Sequence, residues 1–291
     1  MFLPSGIESV FHGMREIPAS SARLLIIVLG YGISILLLRL GIFSPRHFRL
    51  RRRGLNLLLS GKPIEAEKCY RAALDLGAKV PGSDRVRLLV CLADSLIDQR
   101  RYEEAKQYLT VALDLGDPTG SGQGSMCELL LAQKADLEKA TQMADEASRL
   151  HPDHSRVFGD RWAAASKDLH EAKTWGRKAR ALFMLDRRTE GRQALDRALR
   201  IVDMSKPEVE RAKPKTSLLP TLVLGNRLRR MKHLTISATY WQIGLALLAA
   251  RDTNKAAECF LVVRDTDIMG KYRSLAQEQL ASLGYAGANP G

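Results

Sequence analysis

His151 and His154 place two imidazoles three residues apart, a spacing that on an unbroken helix would turn both toward one metal ion. Pro152 stands between them and breaks any such helix. No further ligand is close in sequence, so no metal is expected. Cys69, Cys91, Cys127 and Cys259 form no C-x2-C pair. Each falls among small and apolar neighbours, where a thiol serves as a small hydrophobe. Residues 116–125 are rich in glycine and would cradle a phosphate if a strand preceded them and a lysine followed. Gln123-Gly124-Ser125 supplies no lysine, so the stretch reads as a flexible connector. No nucleophile setting of the G-x-S-x-G or H-E-x-x-H kind is present, and the carboxylates are scattered as helix-surface charges. Neither an enzyme nor a bound cofactor is expected.

Charge is the next chemistry-bearing feature, and its placement matters more than its total. The net +13 resides almost wholly in two stretches, 39–53 and 171–233. The second holds Arg187, Arg188, Arg192, Arg197 and Arg200 at helical spacing, then residues 206–215 with two prolines, read as a mobile linker. A basic amphipathic segment over 222–233 follows. A basic module centred on 171–233, acting on membrane surfaces or nucleic acid, is the rival functional reading. Nucleic acid is disfavoured because few aromatics lie there to stack bases.

The first basic stretch follows an apolar run. Residues 24–43 carry only Arg39 among about twenty residues, the length that spans a bilayer. Arg39, Arg46, Arg49, Arg51, Arg52 and Arg53 crowd its C-terminal side, against Arg15 and Arg23 before it. The positive-inside rule then predicts a single-pass protein with its N-terminus outside and the rest in the cytoplasm, a bacterial inner membrane being favoured. Gly30 and Ser34 form one small-xxx-small pair, leaving homo-oligomerisation open.

The elements that would position any site are helical hairpins. Tyr240, Ile243, Gly244 and Leu247 recur at three and four residues, and after a polar break so do Ala256, Phe260 and Val263. The pattern returns as Gly54-x2-Leu57 with Ala66-x3-Tyr70-x2-Ala73, and as Leu89-x2-Leu92 with Ala105-x3-Leu109-x2-Ala112. Ala140-x3-Ala144-x2-Ala147 is a degraded copy; Trp175-x3-Ala179-x2-Leu182 with Gly191-x3-Leu195-x2-Ala198 is a fourth. A hairpin cannot bury its own stripe, so copies must stack. This spacing resembles the tetratricopeptide repeat, W-x2-L-G-x2-Y followed by A-x3-F and P. The likeness covers about residues 45–285 and extends to bacterial membrane-anchored repeat proteins, though without a zinc ribbon's paired C-x2-C motifs.

The predicted fold is therefore all-α: a transmembrane helix, then a solenoid of about five irregular tetratricopeptide-like repeats with a C-terminal capping helix over residues 271–283. The expected divisions are a short external segment 1–23, the span 24–43, repeats one to three over 44–152, an inserted helix with repeat four and the basic linker over 153–233, repeat five and cap over 234–285, and a tail 286–291. The resemblance implies a scaffold that binds a protein or peptide, of acidic character, in a groove lined by the first helix of each hairpin. On these positions that lining would be Arg51, Leu55, Arg87, Asp94, Lys173, Arg180, Phe183 and Trp241. The family's carboxylate clamp is not implied, since Leu55, Cys91 and Gly122 occupy clamp positions.

Overall fold

The structure, a computed structural model, describes residue 30 and residues 45–150, 160–211 and 221–285. By contacts the chain divides into residues 1–49 and 50–291. In the first, only Gly30 and the opening of one helix are described. All regular structure among the described residues is helical: α1 (Arg46–Leu59), α2 (Pro63–Leu74), α3 (Gly82–Asp98), α4 (Tyr102–Asp114), α5 (Ser121–Gln133), α6 (Leu137–Arg149), α7 (Asp160–Met184), α8 (Arg188–Arg211), α9 (Thr221–Ala249), α10 (Thr253–Thr266) and α11 (Lys271–Ser282).

Ten of these helices form five hairpins that share one internal frame. A small residue sits where the first helix crosses the second: Gly54, Ala93, Cys127, Ala179 and Gly244. Seven residues later the first helix ends on a left-handed residue, Gly61, Arg100, Lys134, Asp186 or Arg251, with φ between 52° and 72°. The next N–H then bonds back into the helix, as Lys62 to the carbonyl of Leu57, Arg101 to Leu96, Ala135 to Leu130, Arg187 to Leu182 and Asp252 to Leu247. This closes the orphan carbonyls and reverses the chain in two or three residues. Only Gly61 takes the left-handed conformation without Cβ strain.

Small and large residues complement one another across each crossing. Sixteen residues after Gly54 comes Tyr70, and the same step joins Gly244 to Phe260. A Cβ on Gly54 would meet the Tyr70 ring at 2.6 Å, and one on Gly244 would meet Phe260 at 2.6 Å. Where the small residue is alanine the partner position is leucine, Ala93 with Leu109 and Ala179 with Leu195, all buried. The third hairpin carries one extra turn residue, Asp136, also left-handed and capping α6 by accepting from the Lys139 N–H. Its second helix therefore starts one residue late, which is why that copy looks degraded.

Successive hairpins are unequally spaced because helices lengthen between them. The 25 residues of α7 run unbroken, so no separate inserted helix precedes repeat four. The 24 residues of α8 continue through Pro207 to Arg211, so the first part of the expected linker is helical. Residues 116–125 are likewise not a flexible connector. Buried Asp117 accepts from the N–H groups of Thr119 and Gly122, at 2.9 and 2.6 Å, and starts α5.

The expected membrane placement requires correction. No helix among the described residues is long and apolar enough to cross a membrane. Apart from Gly30, the span assigned to 24–43, with Arg39, lies outside the described residues, as do His151 and His154. Of the flanking arginines, Arg46, Arg49, Arg51, Arg52 and Arg53 lie on α1, where Arg51 pairs with Asp84 at 2.7 Å.

The apolar core is two clusters that divide at α7. One gathers α1 to α6 with Ala181; the other gathers α7 to α11 around Ile243 and Phe260. Gly244→Ala should lower stability by about 1–2 kcal/mol despite better helix propensity, because the buried Phe260 ring cannot retreat. Arg251→Gly should raise it by about 1 kcal/mol by relieving the left-handed strain. Urea unfolding followed by circular dichroism measures both.

Candidate functional site

Alternate helices meet across the hairpins: α3 touches α5, α5 touches α7, α7 touches α9 and α9 touches α11. No pair of even-numbered helices makes comparable contact among the described residues. Layers packed more tightly on one side must curve toward it, so the odd-numbered helices form the inner row. Arg87, Asp94 and Asp98 lie along α3 at helical spacing, and Ser125 and Glu128 on α5. Lys173, Arg177 and Arg180 follow on α7, Gln242 on α9, and Lys271 with Tyr272 on α11.

Glu128 is the hub of this row. Its carboxylate accepts from Arg177 Nε at 3.1 Å and from Arg180 Nη1 at 3.3 Å, joining the two halves of the molecule where their apolar clusters part. Burial alone would raise the Glu128 carboxyl, but the two guanidinium groups outweigh it and hold it below the ordinary range. Arg177 reaches it by lying over the backbone of α5, where a Cβ on Gly124 would stand 2.7 Å from Nη1. The glycine that suggested a loop is thus space for a guanidinium.

Lys271 closes the row from the far end, pairing with Asp98 across 173 residues of sequence. Beside it burial raises the Tyr272 phenol. The Tyr272 ring lies 6.3 Å from Trp241, which lies 5.3 Å from Phe260. Burial, with Asp98 nearby, raises the Asp94 carboxyl, while a hydrogen bond from Ser125 pulls it down. Lys173 is the exception in this company. Burial and then Arg177 push its ammonium down to about 8, and it makes no hydrogen bond or ion pair.

Of the residues expected from sequence to line the groove, Asp94, Lys173 and Arg180 come together around Glu128. Arg87 stands half-exposed on the same face of α3, and Leu55 is exposed on α1. Arg51 is engaged by Asp84. Phe183 packs its ring over Gly191 inside its own hairpin, and Trp241 is 9% exposed and belongs to the core. Glu128, Arg177, Gln242, Lys271 and Tyr272 were not singled out. Arg177 was findable, one turn from Lys173 on the same stripe; Lys271 was not, because only the curvature of the array brings α11 to α3.

On the other side of the same junction a cleft of about 900 Å³ opens between α6 and the α7–α8 hairpin. Lys178 meets Asp145 there at 2.6 Å and Arg187 meets Glu138 at 3.1 Å. Those charges neutralise one another, so the inner row is the stronger candidate. No family model matches the chain, and no curated protein matches it.

Lys173 holds a lowered pKa, so between about 8 and 10.4 the unfolded chain binds the extra proton and stability rises with pH. Lys173→Met should flatten that rise and add on the order of 2–3 kcal/mol at pH 7. Glu128 is the opposite case: its contribution is present above about pH 4.3 and is lost as pH falls through its lower folded value. Glu128→Gln should cost about 2 kcal/mol at pH 7 and little once the parent's carboxylate is protonated. Unfolding midpoints across pH 3–10 test both.

Proposed function

We propose that the protein is a scaffold of the tetratricopeptide-repeat kind that binds a protein or peptide of acidic character along its inner row. The observation that supports this most is the common hairpin frame, repeated five times. It sets the first helices side by side and lays one continuous line of polar side chains along them. A repeat array of this kind offers an extended surface on which a partner is read by several hairpins at once. Arg87 and Lys173 give the row exposed or unpaired positive charge, which favours an acidic ligand.

The rival reading, a basic module over 171–233, is weakened by what its cations do. Arg197 stacks on Trp175 and pairs with Glu171; Lys178 pairs with Asp145. Arg187 holds Glu138 and Glu190, and Arg188 holds Asp186. Charges neutralised within the chain contribute little to attracting a polyanion.

The test compares two charge reversals in one binding assay. A partner recovered with the full chain as bait should be lost on Arg87→Glu, which removes only a weak ion pair with Asp84 at 3.9 Å. It should be retained on Arg192→Glu, an exposed arginine of α8. Retention with Arg87→Glu and loss with Arg192→Glu would move the binding surface to the outer helices.

A further inference from the structure

Among the described residues the two apolar clusters meet only at α7, which enters the first through Ala181 and Met184 and the second through Ala179 and Leu182. On its outer side this junction is open. The cleft of about 900 Å³ lies between α6 and the α7–α8 hairpin, bridged by the ion pairs of Lys178 with Asp145 and of Arg187 with Glu138. The helices α1 to α6 therefore pack as one body and α7 to α11 as another, with α7 as the apolar joint and unfilled space outside it.

On the inner side the same two bodies touch again, far from that joint. Asp98 is the last residue of α3 and Lys271 the first of α11, and they pair across the third, fourth and fifth hairpins. No shared apolar cluster joins these two helices among the described residues, since α3 belongs to the first and α11 to the second. Each charge stands at the unfavourable end of its own helix, a carboxylate at the negative C-terminus of α3 and an ammonium at the positive N-terminus of α11. Nor does either helix compensate: α3 has no basic residue after Arg87, and α11 has no acidic residue in its first turn. Asp94, one turn before Asp98, adds like-charge repulsion. Each side chain is thus relieved by the other and not by its own helix. The turn that presents Lys271 is firmly built, because buried Asp267 accepts from the N–H groups of Met269 and Arg273, both at 2.9 Å.

We propose that the array is a clamp whose two bodies turn about α7, and that Lys271 and Asp98 form the latch that holds it shut over the inner row. Shut, that row is largely covered: the side chains of Arg177, Arg180 and Glu128 are 13%, 20% and 24% exposed. Release of the latch lets the bodies turn outward, so the inner row widens while the outer cleft narrows. The outer ion pairs shorten in that motion and favour the open form, as the latch favours the shut one. A part-exposed ion pair contributes little and is screened by salt, so the latch biases this equilibrium without locking it. The clamp is a property of the ligand-free chain and does not depend on what the inner row binds.

The test uses the full chain without ligand. A carbodiimide joins a lysine to a carboxylate it already touches, and mass spectrometry identifies the joined peptides. The Lys271–Asp98 link should form in about 20 mM salt and fall at least about threefold in about 0.5 M salt, with circular dichroism unchanged. Lys271→Glu should raise the radius of gyration in small-angle X-ray scattering by about 1 Å. The outer Lys178–Asp145 link should persist in that variant, which separates an opened clamp from an unfolded chain. Lys271→Met, which removes the latch without adding a charge, should open it by less and decides the matter if Lys271→Glu fails to fold. Asp98→Lys combined with Lys271→Asp places each charge at the helix end that favours it. That double variant should return to the parent radius and stay shut at higher salt than the parent. Absence of the Lys271–Asp98 link in low salt, a parent radius in the folded Lys271 variants, or a double variant as open as they are would overturn the latch.

Discussion

The closeness with which two helices can cross governs this molecule. A hairpin of a dozen residues per arm buries too little on its own, so its arms must approach until side chains interlock. Gly54 beneath Tyr70 and Gly244 beneath Phe260 achieve this by exchanging volume across the crossing. The left-handed residue seven positions on then fixes where the chain turns back. Crossing and turn together define a rigid unit, and stacking such units produces both the core and the inner row. Insertions were accommodated by lengthening α7, α8 and α9, which leaves the frame of each hairpin untouched.

At α7 the stacking changes character. The apolar clusters on either side do not merge, and the join is made by Glu128 with Arg177 and Arg180 on one face and by Lys178 with Asp145 on the other. Part-buried ion pairs of this kind add less stability than apolar packing, but they are directional and hold the halves in one register. They also leave the inner row polar at its centre. A site with mismatched charge can persist there because the rest of the array supplies the stability it costs. Lys173 is that mismatch.

Much of the fold was legible in the sequence because it rests on local spacing. Hairpin positions follow from Ala66, Tyr70 and Ala73 and their copies, and turns from the polar breaks between them. Features that depend on distant chain were not legible. Trp241 has the spacing of a groove residue, yet α11 folds over it and places Tyr272 against its ring. Arg197 reads as a solvated arginine until α7 supplies Trp175 and Glu171 beneath it. Residues 116–125 have a loop's composition, but Asp117 caps a helix whose glycines admit Leu113 and Arg177. The Lys206–Pro207 pair predicts a break, yet the helix continues because Ser205 and Val209 are buried on its inner side.

The central claim is that the inner row holds a part-buried cation, Lys173, that the fold does not neutralise. The most direct measurement is the ionisation of Lys173 itself, followed through its ε-methylene signals by NMR in the ligand-free chain and assigned with Lys173→Arg. Half-titration near pH 8 is the expected result. An ordinary lysine value near 10.4, or a raised one, would show that Lys173 is solvated or already paired, and would contradict the account.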